Sequence, residues 1–171
     1  MKALFVIDMI KDFLEEDGAL YCGDTSRLII PFVKQKIDEF HENADVVVYI
    51  CDSHMKEDLE FEMFPKHGVS GTRGAEIIDV LPVEKSDIII RKTRFSAFYN
   101  TNLDRVLVEK GIKEVHAVGV CSSICVMDTV GDLRNRDYKV IVYKHGVADF
   151  DQEAHEFSLK RMEKTYGARI V

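Results

Sequence analysis

The stretch Val118-Gly119-Val120-Cys121-Ser122-Ser123-Ile124-Cys125-Val126 decides the fold. Val115 to Val120 is apolar except for His116 and the small Gly119, which reads as a buried strand. A tight turn follows. From Ile124, apolar residues recur through Val126, Val130 and Leu133 at helical spacing. Cys125 therefore sits near a helix N-terminus, just past the carboxyl end of a strand. Open α/β sheets bind their ligands at that edge. The unpaired N–H groups of a first helical turn favour a thiolate over a thiol, and can also hold a substrate oxyanion. The plainer alternative makes Cys125 a buried small hydrophobe. The rest of the chain decides between them.

Outward from this stretch, buried strands read at Ala3 to Ile7, Asp45 to Cys51, Asp87 to Arg91 and Lys139 to Tyr143. A short edge strand reads at Arg169 to Val171. Helices alternate with them. One is capped by Asp24 or Thr25 and carries the stripe Ile30, Val33, Ile37 and Phe40, with Pro31 in its first turns. Another runs from Asn102 to Lys110 and closes at Gly111. A last helix runs from Gln152 to about Lys164. This alternation predicts an α/β fold: three α/β/α layers around a mostly parallel central sheet, in one domain over residues 1–171. Residues 52–74 show no sustained periodicity, so they form a long loop rich in histidine, aromatics and carboxylates, the type that carries function.

Composition excludes several function classes. The net charge of −7 and the absence of a basic run argue against nucleic acid and against an anionic membrane surface. Met1 to Asp8 is a strand rather than a secretory leader, and no apolar run is long enough to span a bilayer. A cytoplasmic location is expected. The four cysteines, Cys22, Cys51, Cys121 and Cys125, form no Cys-x-x-Cys pair and are expected to be free thiols.

Two constellations could carry chemistry. Asp8, Lys92 and Cys125 all end strands in the same sense, so a parallel sheet would bring them to one edge. An acid, an amine and a thiol make a nucleophilic unit: the aspartate moves the thiol proton, and the lysine lowers the cysteine pKa. The second group is Asp52, His54, Glu60, Glu62 and His67. Asp-x-His in extended chain puts both side chains on one face, and with His67 this suits Zn²⁺, Fe²⁺ or Mn²⁺. Phe13, Phe64, Phe95 and Phe98 lie near these groups and would wall a flat aromatic substrate.

Taken together, several segments resemble the isochorismatase-like cysteine hydrolases and, within them, the nicotinamidases. They are Ala3 to Met9 with Asp12-Phe13; Asp52-Ser53-His54; Phe64 to Thr72; Lys92 to Phe98; and Gly119 to Val126. The chain departs from the common pattern at Ile10-Lys11, Ser53, Met55, Gly68 and Cys121-Ser122. None of these removes a candidate catalytic or metal-binding residue. The resemblance implies the isochorismatase-like hydrolase fold, with Cys125 as nucleophile, Asp8 as general acid/base and Lys92 polarising both. It implies a non-proline cis peptide between Val120 and Cys121, and an oxyanion hole from the backbone N–H groups of Cys121 and Cys125. It implies one divalent metal ion, zinc first and iron or manganese next, on Asp52, His54 and His67. Glu60 fits a fourth ligand, with Glu57 and Glu62 left open. Phe13, Phe64 and Phe95 would wall the pyridine ring. The implied reaction converts nicotinamide to nicotinate and ammonia through a thioester, with pyrazinamide also cleaved. The resemblance also suggests a homo-oligomer. Two rivals remain. One is a sister amidase acting on a carbamoyl or ureido compound. The other is a non-catalytic redox-sensing domain using Cys121 and Cys125.

Overall fold

A computed structural model covers residues 1–171. Six strands, β1 (Lys2–Ile7), β2 (Val46–Asp52), β3 (Ile88–Lys92), β4 (Glu114–Val120), β5 (Lys139–Ala148) and β6 (Arg169–Ile170), form one sheet. Their order is β3-β2-β1-β4-β5-β6, and every neighbouring pair is parallel. The helices are α1 (Lys11–Leu14), α2 (Asp24–Leu28), α3 (Ile30–Glu42), α4 (Leu103–Glu109), α5 (Met127–Arg134) and α6 (Gln152–Lys164).

β1 is apolar along nearly its whole length because it lies mid-sheet with both faces covered. Ala3, Phe5 and Ile7 pack into a core with Leu103 and Leu107 of α4, Val130 and Leu133 of α5, and Met162 of α6. Leu4 and Val6 point the other way, onto Val33, Ile37 and Phe40 of α3. These two cores make the three layers. Burying each such side chain contributes about 1.5–3 kcal/mol before the ordering cost. No helix is long and apolar enough to cross a membrane.

The structure differs from the sequence reading in several places, the short α1 among them, where no helix was expected. The first long helix is two, divided at Ile29, and Pro31 opens α3, where a missing N–H costs little. The 52–74 loop contains two 3-10 turns, Leu59–Glu62 and Arg73–Ala75. β5 runs on to Ala148, five residues past the apolar run, after a register shift against β4 between Ala117 and Gly119. The parallel arrangement brings the ends of β1, β2, β3 and β4 to one edge.

Candidate active site

At that edge, Asp8 leaves β1 with φ +52°, a left-handed turn that aspartate tolerates better than most residues. Its Oδ1 accepts the Asp52 N–H at 2.9 Å. β2 and β3 pair Asp52 with Lys92, so their side chains emerge together. Lys92 Nζ lies 2.8 Å from Asp8 Oδ2, donates to Asp52 Oδ1, and lies 3.3 Å from Cys125 Sγ. The Lys92–Asp8 contact is a fully buried ion pair. All four side chains are buried. Ser122–Val126 forms one π turn that leads into α5, and Cys125 sits on that turn. The Val120–Cys121 peptide is cis.

Burial alone would lower the Lys92 pKa, but the Asp52 and Asp8 carboxylates hold it well above its ordinary value. Asp52 is driven well below the usual carboxylate range, because Lys92, His54 and His67 outweigh the burial that would raise it. Burial and the Asp52 charge push Asp8 up to about 6, against the pull of Lys92. Cys125 departs from the sequence expectation. Burial pushes its thiol well above the ordinary value, and Lys92 does not offset that alongside the charges of Asp8 and Asp52. Cys125 therefore rests as a thiol.

A second cluster shares Asp52. Donor atoms of Asp52, His54, Glu60 and His67 all lie within 4.8 Å of one another, and all four residues are buried. The Nε2 atoms of His54 and His67 stand 3.5 and 3.6 Å from Asp52 Oδ2. The opposite ring nitrogens are engaged, His54 Nδ1 with Asp58 Oδ2 at 3.1 Å and His67 Nδ1 with the Pro65 carbonyl at 2.7 Å. Both rings thus aim Nε2 inward, and His54 Nε2 and Glu60 Oε2 have no hydrogen-bond partner. Two imidazoles, two carboxylates and orphaned buried atoms fit a divalent transition metal. Glu57 and Glu62 face solvent, so Glu60 is the carboxylate the loop turns inward. Gly68 (φ +52°) is needed beside His67, since a Cβ there would stand 2.9 Å from Asp52 Cβ. Asp12 accepts the Gly68 N–H at 2.8 Å and ties the loop down.

Both clusters face one small, mostly apolar pocket. Phe13, Phe64 and Phe95 line it together with Asp52, Glu60, His67, Cys121 and Cys125. Phe98 does not. It lies beneath the Arg136 guanidinium, 4.1 Å from ring centre to carbon. Cys121 Sγ is 3.3 Å from Cys22 Sγ, which gives it a different neighbour from the one a Cys121–Cys125 redox pair would need.

The family model of the isochorismatase domain matches residues 2–171. The chain belongs to the isochorismatase family. An uncharacterized isochorismatase family protein of Bacillus subtilis (strain 168), PncA, is 37% identical, covering 99% of this chain and 98% of its own length. The crystal structure of nicotinamidase/pyrazinamidase PncA from Bacillus subtilis superposes with a TM-score of 0.94 at 36% identity, covering 99% of this chain and 98% of that one. The pyrazinamidase of Pyrococcus horikoshii in complex with zinc gives a TM-score of 0.92 at 31% identity, over 99% and 98% of the two chains.

Some residues of this isochorismatase-family site carried no sequence signal. Leu20, Cys22, Ile124 and Phe150 complete the pocket wall from the loop before α2, the Ser122–Val126 turn and the segment after β5. Asp58 holds His54 and also accepts from Arg94 at 2.8 Å. A carboxylate four residues after a candidate histidine ligand was the only available hint, and it is a weak one.

Proposed function

We propose that the chain is a metal-dependent cysteine amidohydrolase that converts nicotinamide to nicotinate and ammonia, and that it also cleaves pyrazinamide. One observation carries the reading. Asp52 belongs to both clusters, so a thiol with its acid and a metal-binding set face one aromatic-walled pocket. The nicotinamidase and pyrazinamidase names of the similar structures support it.

In this mechanism the Asp8 carboxylate takes the Cys125 proton as sulfur attacks the amide carbon. Lys92 stays charged and offsets the anions formed beside it. The N–H groups of Cys121 and Cys125 receive the tetrahedral oxyanion. Asp8 then gives its proton to the departing NH₂ group, which leaves as ammonia while the C–N bond breaks. The acyl group remains on sulfur. Asp8 next takes a proton from water as the hydroxide adds to the thioester, and returns it to the Cys125 sulfur as the C–S bond breaks and the carboxylic acid forms. A divalent ion, zinc first, held by Asp52, His54, Glu60 and His67, would supply a Lewis-acid contact for the pyridine nitrogen and orient the ring. Phe13, Phe64 and Phe95 flank that ring.

Ammonia release from nicotinamide should vanish on chelation, return with added zinc, iron or manganese, and be absent from Cys125→Ala. No release with metal occupancy verified would overturn the nicotinamide assignment. Turnover of a carbamoyl or ureido amide by the same sample would then move the chain to the sister amidases.

A further inference from the structure

Beyond their register shift β4 and β5 pair again, Val120 with Ala148, so Cys121 and Asp149 leave the sheet side by side. Asp149 is a buried carboxylate with no cation paired to it. Its Oδ2 accepts the Ser123 N–H at 2.8 Å and the Ser122 hydroxyl at 3.2 Å. Its Oδ1 accepts the Asp151 N–H at 3.2 Å. Ser122 Oγ is also 2.8 Å from His155 Nδ1. A hydroxyl has one proton, and Ser122 gives it to Asp149, so His155 Nδ1 is the donor in the second bond. His155 lies on α6, which Asp151 caps by accepting the Ala154 N–H at 3.0 Å. The turn bearing Cys121 and Cys125 is thus fastened from the side by β5 and α6.

Serine, histidine and aspartate here do not form a nucleophilic triad. The aspartate touches the serine rather than the histidine, and Ser122 is fully buried. The arrangement is an end cap supplied by another part of the chain, taking a helix-start donor that has no carbonyl of its own.

We propose that Asp149 is a positioning residue for the hydrolysis. It fixes the Cys121–Ser123 turn, and through it the Cys125 sulfur beside Lys92 and the two N–H groups around the substrate oxygen. The inference rests on the cysteine-hydrolase reading and not on nicotinamide. The sign of the effect separates it from electrostatics. A negative charge at this end of the helix opposes a thiolate at Cys125, so loss of the charge alone would ease ionisation and quicken the enzyme. Loss of position would slow it.

The test compares Asp149→Ala, Asp149→Asn and Ser122→Ala on the metal-loaded protein. Each variant is read by kcat and KM on nicotinamide, and by the pH profile of Cys125 alkylation with iodoacetamide. In Asp149→Ala, kcat should fall about 10²-fold, the size of effect seen when a reacting group is misplaced by an ångström, with KM little changed. Its alkylation midpoint should move to higher pH as sulfur leaves Lys92. Asp149→Asn keeps an oxygen for Ser122 and Ser123 and should retain most activity. Ser122→Ala keeps the Ser123 bond and should fall between. Wild-type kcat and alkylation profile in folded Asp149→Ala would reduce Asp149 to a structural cap and overturn the proposal. Faster alkylation in Asp149→Ala, with its midpoint moved to lower pH, would overturn it in favour of charge. Should Asp149→Ala not fold, a wild-type rate and profile in Ser122→Ala would overturn it. A wild-type protein inert towards nicotinamide sinks only the substrate assignment, because the alkylation profile needs no substrate.

Discussion

Asp8 shows what a single residue carries. Its backbone turn points the carboxylate across the strand ends, and its surroundings hold the pKa at about 6. Burial and the neighbouring Asp52 charge raise it, and Lys92 keeps it from rising further. The base must be ionised to take the Cys125 proton, so kcat/KM should decline as pH falls through about 6. Metal occupancy measured at each pH separates this limb from loss of the ion, and Asp8→Asn should remove turnover throughout. A rate that stays flat through that pH, with the site still loaded, would take the base role away from Asp8. Asp8, Lys92 and Cys125 were legible in sequence because the first two stand at the ends of apolar strands and Cys125 on the turn just past one, and parallel strands end together. Asp12, Asp58 and Asp149 were not, because their work is done through contacts with Gly68, Arg94 and the Ser122-Ser123 turn. One-dimensional spacing does not encode such contacts. The Cys125 pKa was misread because the helix end and Lys92 were visible, whereas its depth of burial, which raises it most, and the Asp52 charge were not.

At the scale of elements, the nucleophile turn depends on how closely β4 approaches β1. Gly119 has φ +121°, and a Cβ there would stand 1.9 Å from the Ile7 carbonyl oxygen. Both the backbone angle and the space exclude a side chain, and the clash is with a strand that cannot swing away. Gly119→Ala should therefore cost about 4 kcal/mol or more, a size reserved for such steric mechanisms. Urea unfolding of both proteins checks it, and a loss under about 1 kcal/mol would mean the strands can part at little cost. Strand and helix identities were legible because their apolar periods are clean, and α6 matches its reading at both ends. β5 was read short because Lys144-His145-Gly146 breaks its apolar run, yet pairing with β4 resumes at Val147 and Ala148. The break at Ile29 was hidden because the apolar stripe continues across it.

At the scale of the molecule, the two buried clusters are joined through Asp52, and one of them sets its carboxylates against two imidazoles. Lys92 answers Asp8 and Asp52, while Glu60 faces only the two histidines. Their imidazoles are held above their ordinary pKa, His67 at about 10, by Asp52 and Glu60 against the cost of burial. A divalent ion would displace those protons and fill the orphaned lone pairs, so it would bind the folded chain far better than the unfolded one. At free metal one hundred times Kd the gain is about 2.7 kcal/mol, which for a chain of this size raises Tm by about 5–10 °C. Chelation should reverse the shift, and His67→Ala should abolish most of it while leaving the fold intact. Because the metal displaces protons, the shift should also shrink as pH is lowered, the direction opposite to that of an acid-strengthened salt bridge. Equal melting temperatures for chelated and metal-loaded protein, at saturating zinc and neutral pH, would show that the four ligands balance one another without an ion. The loop from residue 52 to residue 74 would then owe its order to its own hydrogen bonds, those of His54 with Gly68 and Ser70 and those accepted by Asp12 and Asp58 among them.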